Sequence, residues 1–199
     1  MSFNDSYQGT PPWDIGRAQK SIIKLESDGK ITGKVLDVGC GTGENALYLA
    51  KKGYNVIGID ASPLAIQKAK LKQQEFQNLN LEFQEMDIFK LKSSGWEFHT
   101  IVDAGVFHVF SNSARIEYLN NIHSVLIDEG YFHLHVFSDK EPGGWGPRRI
   151  SKDEIYQSFQ EGWKIVSIKD TPLEMVSPRM DSVQGLLIEV RKLQKTPDN

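Results

Sequence analysis

The sequence predicts an α/β fold: a doubly wound, seven-stranded, mostly parallel sheet with helices on both faces and the last strand antiparallel. Short apolar runs rich in β-branched residues alternate with longer segments of helical periodicity, which is typical of such sheets. A glycine-rich turn, GCGTG, lies between the first apolar run and a helical segment. Aspartates lie at the ends of several runs, where open α/β sheets bind their ligands.

Seven segments are predicted as strands because they are short, apolar and bounded by turn residues. In chain order they are residues 34–38, 54–60, 81–87, 98–105, 130–138, 163–169 and 183–191. Outside these elements, residues 1–12 and 194–199 are expected to be loose ends.

Helices are predicted between the strands from their start and stop signals. The first follows Gly43 and ends at Gly53, and the second is capped by Ser62 with Pro63 at its first position. The remaining two are residues 113–127 and a helix that Ser151 caps and that runs to about residue 159.

Length and composition favour one cytoplasmic domain. The 199 residues are expected to form a single domain, with residues 1–30 as an N-terminal lid or helical segment and 31–193 as a Rossmann-like core. No apolar run approaches the roughly 18 residues of a membrane span, and the start resembles no secretory signal. The single Cys40 fits a reducing compartment, and the net charge of -3 makes a nucleic-acid partner unexpected.

The glycine turn leaves two ligands open when it is considered alone. Counted from Gly41, it matches G-x-G-x-x-A through Ala46, and with Asp60 it could bind a nicotinamide dinucleotide. Asp37, however, lies two residues before Gly39, where a carboxylate would repel a pyrophosphate. This position favours a cationic ligand.

Four aspartates share the predicted ligand edge of the sheet. They are Asp37, Asp60, Asp87 and Asp103, each at or near the end of one of strands one to four. S-adenosylmethionine suits such an edge, because it carries a sulfonium and an ammonium, and its ribose hydroxyls can donate to a carboxylate. The sequence therefore favours this cofactor over a dinucleotide.

Three features together resemble the class I S-adenosylmethionine-dependent methyltransferases. They are the pattern D-x-G-x-G-x-G at residues 37–43, Asp60 at the end of strand two and the stretch MDIF after strand three. The resemblance covers nearly the whole chain. The stretches PPWDIGRAQ, VDAGVFHVFS and FSDKEPGGWGPRRIS also resemble a narrower group related to the thiopurine and halide/thiol methyltransferases. That group continues its Trp-Asp-x-Gly signature with prolines, whereas this chain has Ala18 and Gln19.

The resemblance implies roles for several of the candidate cofactor residues. Asp60 would accept both ribose hydroxyls, Asp87 and the backbone of Ile88 would bind the adenine edge, and Asp37 would meet the ammonium. Trp13 would cover the sulfonium or anchor the N-terminal segment, and Arg17 would reach the cofactor carboxylate or lie on the surface. The full set is Trp13, Arg17, Asp37, Gly39, Cys40, Gly41, Gly43, Asp60, Ala61, Asp87, Ile88, Asp103 and Gly105. S-adenosylhomocysteine would be the product.

The acceptor side is expected beside strand four. Phe107 and His108 follow this strand and are expected to line the acceptor pocket, with His108 as the candidate base. Trp145, Arg148 and Arg149 are candidates on the far loop, where the two arginines would bind an anionic acceptor or cap the sheet edge. His133 and His135 alternate on strand five but lack further ligands, so no metal is predicted.

The expected function is in-line transfer of a methyl group to sulfur, nitrogen or oxygen of a small molecule. Two alternatives stay open: a protein or RNA methyltransferase, and a non-catalytic module that binds the cofactor or its product. The sequence does not specify the acceptor or the oligomeric state.

Overall fold

The computed structural model describes residues 3–177 and 180–194. Its strands are β1 (Lys34–Val38), β2 (Asn55–Asp60), β3 (Leu81–Glu85), β4 (Phe98–Ala104), β5 (Leu126–Phe137), β6 (Trp163–Asp170), β7 (Leu173–Ser177), β8 (Met180–Val183) and β9 (Gly185–Lys192). Its helices are α1 (Phe3–Ser6), α2 (Lys20–Ser27), α3 (Glu44–Lys51), α4 (Pro63–Gln73), α5 (Asn112–Val125) and α6 (Lys152–Ser158). Two 3₁₀ helices span Ile88–Ser94 and Phe107–Val109.

The main sheet has seven strands in the order β3-β2-β1-β4-β5-β9-β6. Neighbouring strands from β3 to β5 pair in parallel, whereas β9 runs antiparallel to both β5 and β6. The predicted seven-stranded fold with an antiparallel last strand is therefore confirmed. The strand order reverses between β1 and β4, which places a crevice at their carboxyl ends.

Both faces of the sheet are covered, as a run of apolar residues in each central strand requires. In β1, Val35 packs into one hydrophobic cluster and Leu36 into the other. In β4, Val102 and Ile101 divide in the same way between the two clusters. All four side chains have no exposed surface, so β1 and β4 form a rigid base for the crevice.

The helix caps follow the sequence signals. Ser62 accepts a hydrogen bond from the Ala65 amide at 3.2 Å, with Pro63 in the first turn of α4. Ser151 and Glu154 form a reciprocal capping box at the start of α6. These local contacts set where each helix begins.

Some predicted boundaries are wrong. Strand β3 ends at Glu85, so that Asp87 lies in the following segment, where it caps a 3₁₀ helix. The fifth strand begins at Leu126 instead of residue 130, which shortens the preceding helix. A two-stranded sheet of β7 and β8 was not predicted. In chain order it comes between β6 and β9, which are neighbours in the main sheet.

The N-terminal residues are also more ordered than expected. Residues 3–6 form α1, and Tyr7 is buried with 4% of its surface exposed. The expected loose C-terminal end falls almost wholly on residues 195–199, which lie outside the described residues. Among the described residues, no helix combines the length and the apolar character that crossing a bilayer requires.

Candidate cofactor and acceptor sites

The glycine loop joins β1 to α3 at the crevice. Gly39 has a φ of 61°, and a Cβ there would lie 2.1 Å from Cγ2 of Val106. Gly43 has a φ of 89° at the N-cap of α3, and a Cβ there would lie 2.5 Å from the Phe83 ring. Only glycine meets both conditions without strain, so the loop can approach a ligand with its backbone.

Asp37 lies beneath this loop, with 1% of its surface exposed. Its Oδ2 accepts a hydrogen bond from the Ala46 amide at 3.1 Å. Burial raises the pKa of Asp37 to about 8, and the charges of Asp103 and Asp60 raise it further. The sheet edge thus brings three predicted aspartates within electrostatic range, and the carboxyl of Asp37 favours its neutral form.

Asp60 ends β2 and supports the loop from the side. Its Oδ2 accepts from the Gly41 amide at 2.9 Å, and its Oδ1 accepts from the Ser62 amide at 2.8 Å. Each oxygen keeps a second lone pair that a hydroxyl could use. Burial raises its pKa above the usual range despite these hydrogen bonds. Ala61, the next residue, is exposed.

Asp103 is fully buried at the end of β4. Its carboxylate accepts from the amides of Gly105, Val106 and Phe107 at 2.7 to 3.0 Å, and from the Tyr118 hydroxyl at 2.6 Å. Burial raises its pKa to about 6 against the opposing effect of these four donors. In this arrangement Asp103 shapes the loop that follows β4; direct contact with a cofactor stays a prediction.

The adenine-side candidates lie on the segment after β3. Asp87 accepts from the Phe89 amide at 3.0 Å, which fixes the first turn of the 3₁₀ helix. Ile88 is buried with 8% exposure and packs into the larger hydrophobic cluster. Asp87 itself is exposed and free to accept further hydrogen bonds.

The N-terminal segment covers the glycine loop. The Tyr7 hydroxyl lies 2.9 Å from the position that a Cβ of Gly41 would take, and Asp14 accepts from the Thr42 hydroxyl at 2.9 Å. A cleft lies between the segment and the loop. The predicted residues Trp13, Arg17, Gly39, Cys40 and Gly41 line it.

Arg17 lines this cleft, but its guanidinium is committed to a carboxylate. Its Nη2 and Nη1 donate to Glu174 of β7 at 2.7 and 2.9 Å. These hydrogen bonds are the main reason why the pKa of Glu174 falls to about 2. A contact between Arg17 and a cofactor carboxylate therefore competes with this pair and stays a prediction.

His108 is buried and has no free basic nitrogen. Its Nδ1 accepts from the Phe137 amide at 3.1 Å, and its Nε2 faces Gly105. Burial lowers the pKa of His108 to about 3, so that the ring is neutral at physiological pH. This geometry opposes the hypothesis of a general base, because the Nδ1 lone pair already binds a buried amide.

Phe107 packs in the core. Its ring centroid is 6.0 Å from that of Tyr118 and 6.3 Å from that of Phe159, and no surface is exposed. The predicted contact with an acceptor is therefore not made by the Phe107 side chain in this arrangement; the ring supports the loop from beneath.

Arg149 organises the loop between β5 and α6. Its N–H groups donate to five backbone carbonyls, those of Glu141, Pro142, Gly143, Trp145 and Pro147. Its guanidinium also lies 5.4 Å from the ring centroid of Phe137 and 5.3 Å from that of Trp145. Arg148 instead pairs with Glu154 of α6. Arg149 consequently has no spare donor for an anionic acceptor.

Comparison with known proteins identifies the family. A family model described as a methyltransferase domain matches residues 35–130. Over 181 residues the chain is 34% identical to the 2-heptyl-1-hydroxyquinolin-4(1H)-one methyltransferase of Mycobacteroides abscessus, covering 86% of this chain and 80% of the relative. The chain belongs to the S-adenosylmethionine-dependent methyltransferases. Its methyl donor is S-adenosylmethionine, and its second product is S-adenosylhomocysteine.

Two further relatives agree with this assignment. The methyltransferase is 28% identical to the probable thiol methyltransferase 2 of Arabidopsis thaliana, covering 86% of this chain and 76% of the relative. A solved structure described as "Conversion of a Disulfide Bond into a Thioacetal Group during Echinomycin Biosynthesis" superposes with a TM-score of 0.86 at 32% identity. That match covers 96% of this chain and 92% of the other. The resemblance to small methyltransferases, including thiol methyltransferases, is confirmed.

Several residues that line or support the cleft were not singled out from the sequence. Tyr7 and Gln19 line the cleft, and Glu174 binds the segment that forms one of its walls. Tyr7 lies in a segment that was expected to be loose, and Glu174 is 157 residues from Arg17, so no local pattern links them. In the part of the chain that the structure describes, no group of three or more His, Cys, Asp or Glu residues could bind a metal ion.

Proposed function

We propose that this methyltransferase transfers a methyl group to sulfur, nitrogen or oxygen of a small molecule in the cytoplasm. The observation that carries the proposal is the cover that residues 7–17 form over the glycine loop, which leaves only a narrow cleft. A covered site suits a compact acceptor better than a folded protein or an RNA. The names of two relatives, a hydroxyquinolone methyltransferase and a probable thiol methyltransferase, support the same class of acceptor.

The residues at the sheet edge suit the cofactor. Asp60 has lone pairs for ribose hydroxyls, and exposed Asp87 with the backbone of Ile88 would bind the adenine edge. Asp37 would meet the ammonium, directly or through a water molecule. Gly39, Cys40, Gly41 and Gly43 would bring the backbone close to the methionine part, with Ala61 and Gly105 at its margins. When bound, the cofactor supplies an electrophilic methyl group on a sulfonium.

The protein contributes alignment and shielding in this proposal. An in-line displacement needs acceptor and methyl group to be held in near-attack geometry, and bringing them together in one site can account for several orders of magnitude in rate. Trp13 and the N-terminal cover would exclude water. His108 would fix the loop after β4 against β5 through its bond to the Phe137 amide. An acceptor therefore has to arrive as a nucleophile that needs no proton removed by this residue.

A methyl-transfer screen tests the proposal. The purified chain would be incubated with methyl-labelled S-adenosylmethionine and separate panels of aromatic thiols, hydroxylated heteroaromatics, amines and halides. Transfer to the thiols, the hydroxylated heteroaromatics or the amines supports the proposal, whereas transfer to halides alone would contradict a sulfur, nitrogen or oxygen acceptor. Transfer only to protein or RNA from a cell extract, or binding of the cofactor without transfer to any acceptor, would contradict it.

A further inference from the structure

The Tyr7 hydroxyl lies directly above the glycine loop. Tyr7 is 4% exposed and lines the cleft together with Gly39, Gly41 and Thr42. A Cβ at residue 41 would come within 2.9 Å of this hydroxyl, so the loop and the tyrosine approach each other as closely as a glycine allows. The hydroxyl is therefore within reach of any group that the loop backbone binds.

Trp13 fixes the orientation of this hydroxyl. The indole Nε1 donates to the Tyr7 Oη at 3.0 Å, and the two rings pack edge to face with centroids 6.3 Å apart. An indole nitrogen can only donate, so the hydroxyl uses a lone pair in this bond and keeps its own proton. Within residues 3–177 and 180–194, no oxygen or nitrogen is paired with that proton.

The proton also stays on the oxygen. Burial and then the charge of Asp60 raise the pKa of Tyr7 far above its usual value. A buried hydroxyl with an unused donor costs free energy, unless a bound ligand supplies an acceptor. The cleft beneath Tyr7 is where such a ligand would bind.

The best acceptor that the cofactor offers is its methionine carboxylate. The eight-residue helix α3 begins at Glu44, directly after the loop, and Glu44 and Asn45 of its first turn line the same cleft. Helix N-termini favour anions, and a hydrogen bond to a charged acceptor is about twice as strong as one to a neutral acceptor. Arg17, a cation that lines the cleft, is already paired with Glu174.

We propose that Tyr7 is a cofactor-binding residue whose hydroxyl donates to the methionine carboxylate of S-adenosylmethionine. Trp13 is then a positioning residue that acts through Tyr7. This inference adds a ligand contact from a segment that precedes the sheet, and it is independent of which acceptor is methylated.

Calorimetry with two matched ligands tests the inference. Tyr7→Phe keeps the ring and removes only the hydroxyl, and decarboxylated S-adenosylmethionine keeps the sulfonium and the amine without the carboxylate. The variant is expected to bind S-adenosylmethionine roughly tenfold to a hundredfold more weakly, since a hydrogen bond to a charged group is lost. Its affinity for the decarboxylated ligand should change by less than about twofold. Tyr156→Phe on α6, where the side chain is exposed, is the matched control.

A second variant tests whether Trp13 positions the Tyr7 hydroxyl. Trp13→Phe removes the indole N–H and keeps an aromatic ring, so it should weaken S-adenosylmethionine in the same direction but by less than Tyr7→Phe. Equal losses for both ligands in Tyr7→Phe, or unchanged affinity for S-adenosylmethionine, would overturn the proposal. Melting curves of each ligand-free variant exclude a loss that arises from unfolding.

Discussion

The guanidinium of Arg17 and the carboxylate of Glu174 form a bidentate ion pair, with N–O distances of 2.7 and 2.9 Å. Further contacts reinforce it: the Lys20 amide donates to Glu174 at 2.9 Å, and the Gln19 side chain pairs with the Glu174 backbone in both directions. Val176 also donates to the Pro12 carbonyl at 2.7 Å. Strand β7 thus anchors the segment that covers the glycine loop and its cleft.

Removing the charge of Glu174 should loosen this cover without unfolding the sheet. In Glu174→Gln we expect amides of residues 13–20 to exchange with deuterium at least about tenfold faster, because a charge-assisted bidentate pair is lost. Amides of β1 and β4 should be unaffected. Glu161→Gln, at an exposed turn, is the control. Unchanged exchange in residues 13–20 would show that the pair does not anchor the segment.

The stabilisation that the Arg17–Glu174 pair provides depends on pH. The pKa of Glu174 is lowered from 4.5 to about 2, mainly by Arg17, so its stabilisation is present above pH 4.5 and is lost as the pH falls toward 2. The opening equilibrium of this segment, derived from the amide exchange of residues 13–20, should therefore not change between pH 5 and 8.

Asp37→Asn should have opposite effects on stability and on binding. The pKa of Asp37 is raised from 3.8 to about 8, so its ionisation increasingly favours the unfolded state as the pH rises between these values. Asparagine mimics the neutral carboxyl and can still accept from the Ala46 amide. The ligand-free variant should melt above the unmodified protein at pH 8, with a gap that shrinks toward pH 4. If Asp37 meets the ammonium, the bound cation favours the ionised carboxylate, which asparagine cannot supply, so the affinity for S-adenosylmethionine should fall about tenfold. A melting gap that is independent of pH would contradict the buried, neutral carboxyl.

Asp60→Asn tests the ribose contact. Loss of charge-assisted hydrogen bonds should weaken S-adenosylmethionine by about 1.5 to 3 kcal/mol, measured by calorimetry. Because an asparagine amide faces the Gly41 or Ser62 N–H in the variant, its melting temperature must be measured as well. Glu75→Gln, an exposed residue after α4, is the charge-matched control. Unchanged affinity in a folded variant would exclude the ribose role.

Arg149→Lys should affect the acceptor and spare the cofactor. Lysine has one ammonium and cannot reproduce a planar fork that donates to five carbonyls, so the loop of residues 141–147 should lose its fixed shape. We expect KM for the acceptor to rise at least about fivefold while the Kd of S-adenosylmethionine stays constant. Arg148→Lys is the neighbouring control, since Arg148 pairs with Glu154 alone among the described residues. Equal effects of the two variants on KM would contradict a special role for Arg149.

Features that depend on neighbours in sequence were predictable. The bounds of β1, the Ser62 and Ser151 caps and the glycine loop all follow from local chemistry. The aspartates at strand ends were also predictable, because the carboxyl ends of parallel strands meet at one edge. This is why the cofactor could be inferred before the structure.

Features that depend on distant contacts were not predictable. The hairpin of β7 and β8 is short, so its strands carry a weak sequence signal. Its buried residue Glu174 is polar because it binds Arg17 near the N-terminus, a contact that the local sequence does not indicate. The role of His108 depends on the amide of Phe137, which is 29 residues away and on another strand. Until the Phe137 amide is known as its partner, a histidine after strand four is compatible both with a general base and with a structural role in holding the loop.

We propose that His108 holds the loop after β4 in place and does not deprotonate the nucleophile. The most direct test is the pH dependence of kcat/KM for a series of aromatic thiols with graded pKa values, in the unmodified protein and in His108→Asn. We expect the acid limb to move with the pKa of each thiol and to keep that position in the variant, because the reactive species is the thiolate. An acid limb at one fixed pH for every thiol, lost in His108→Asn, would contradict it.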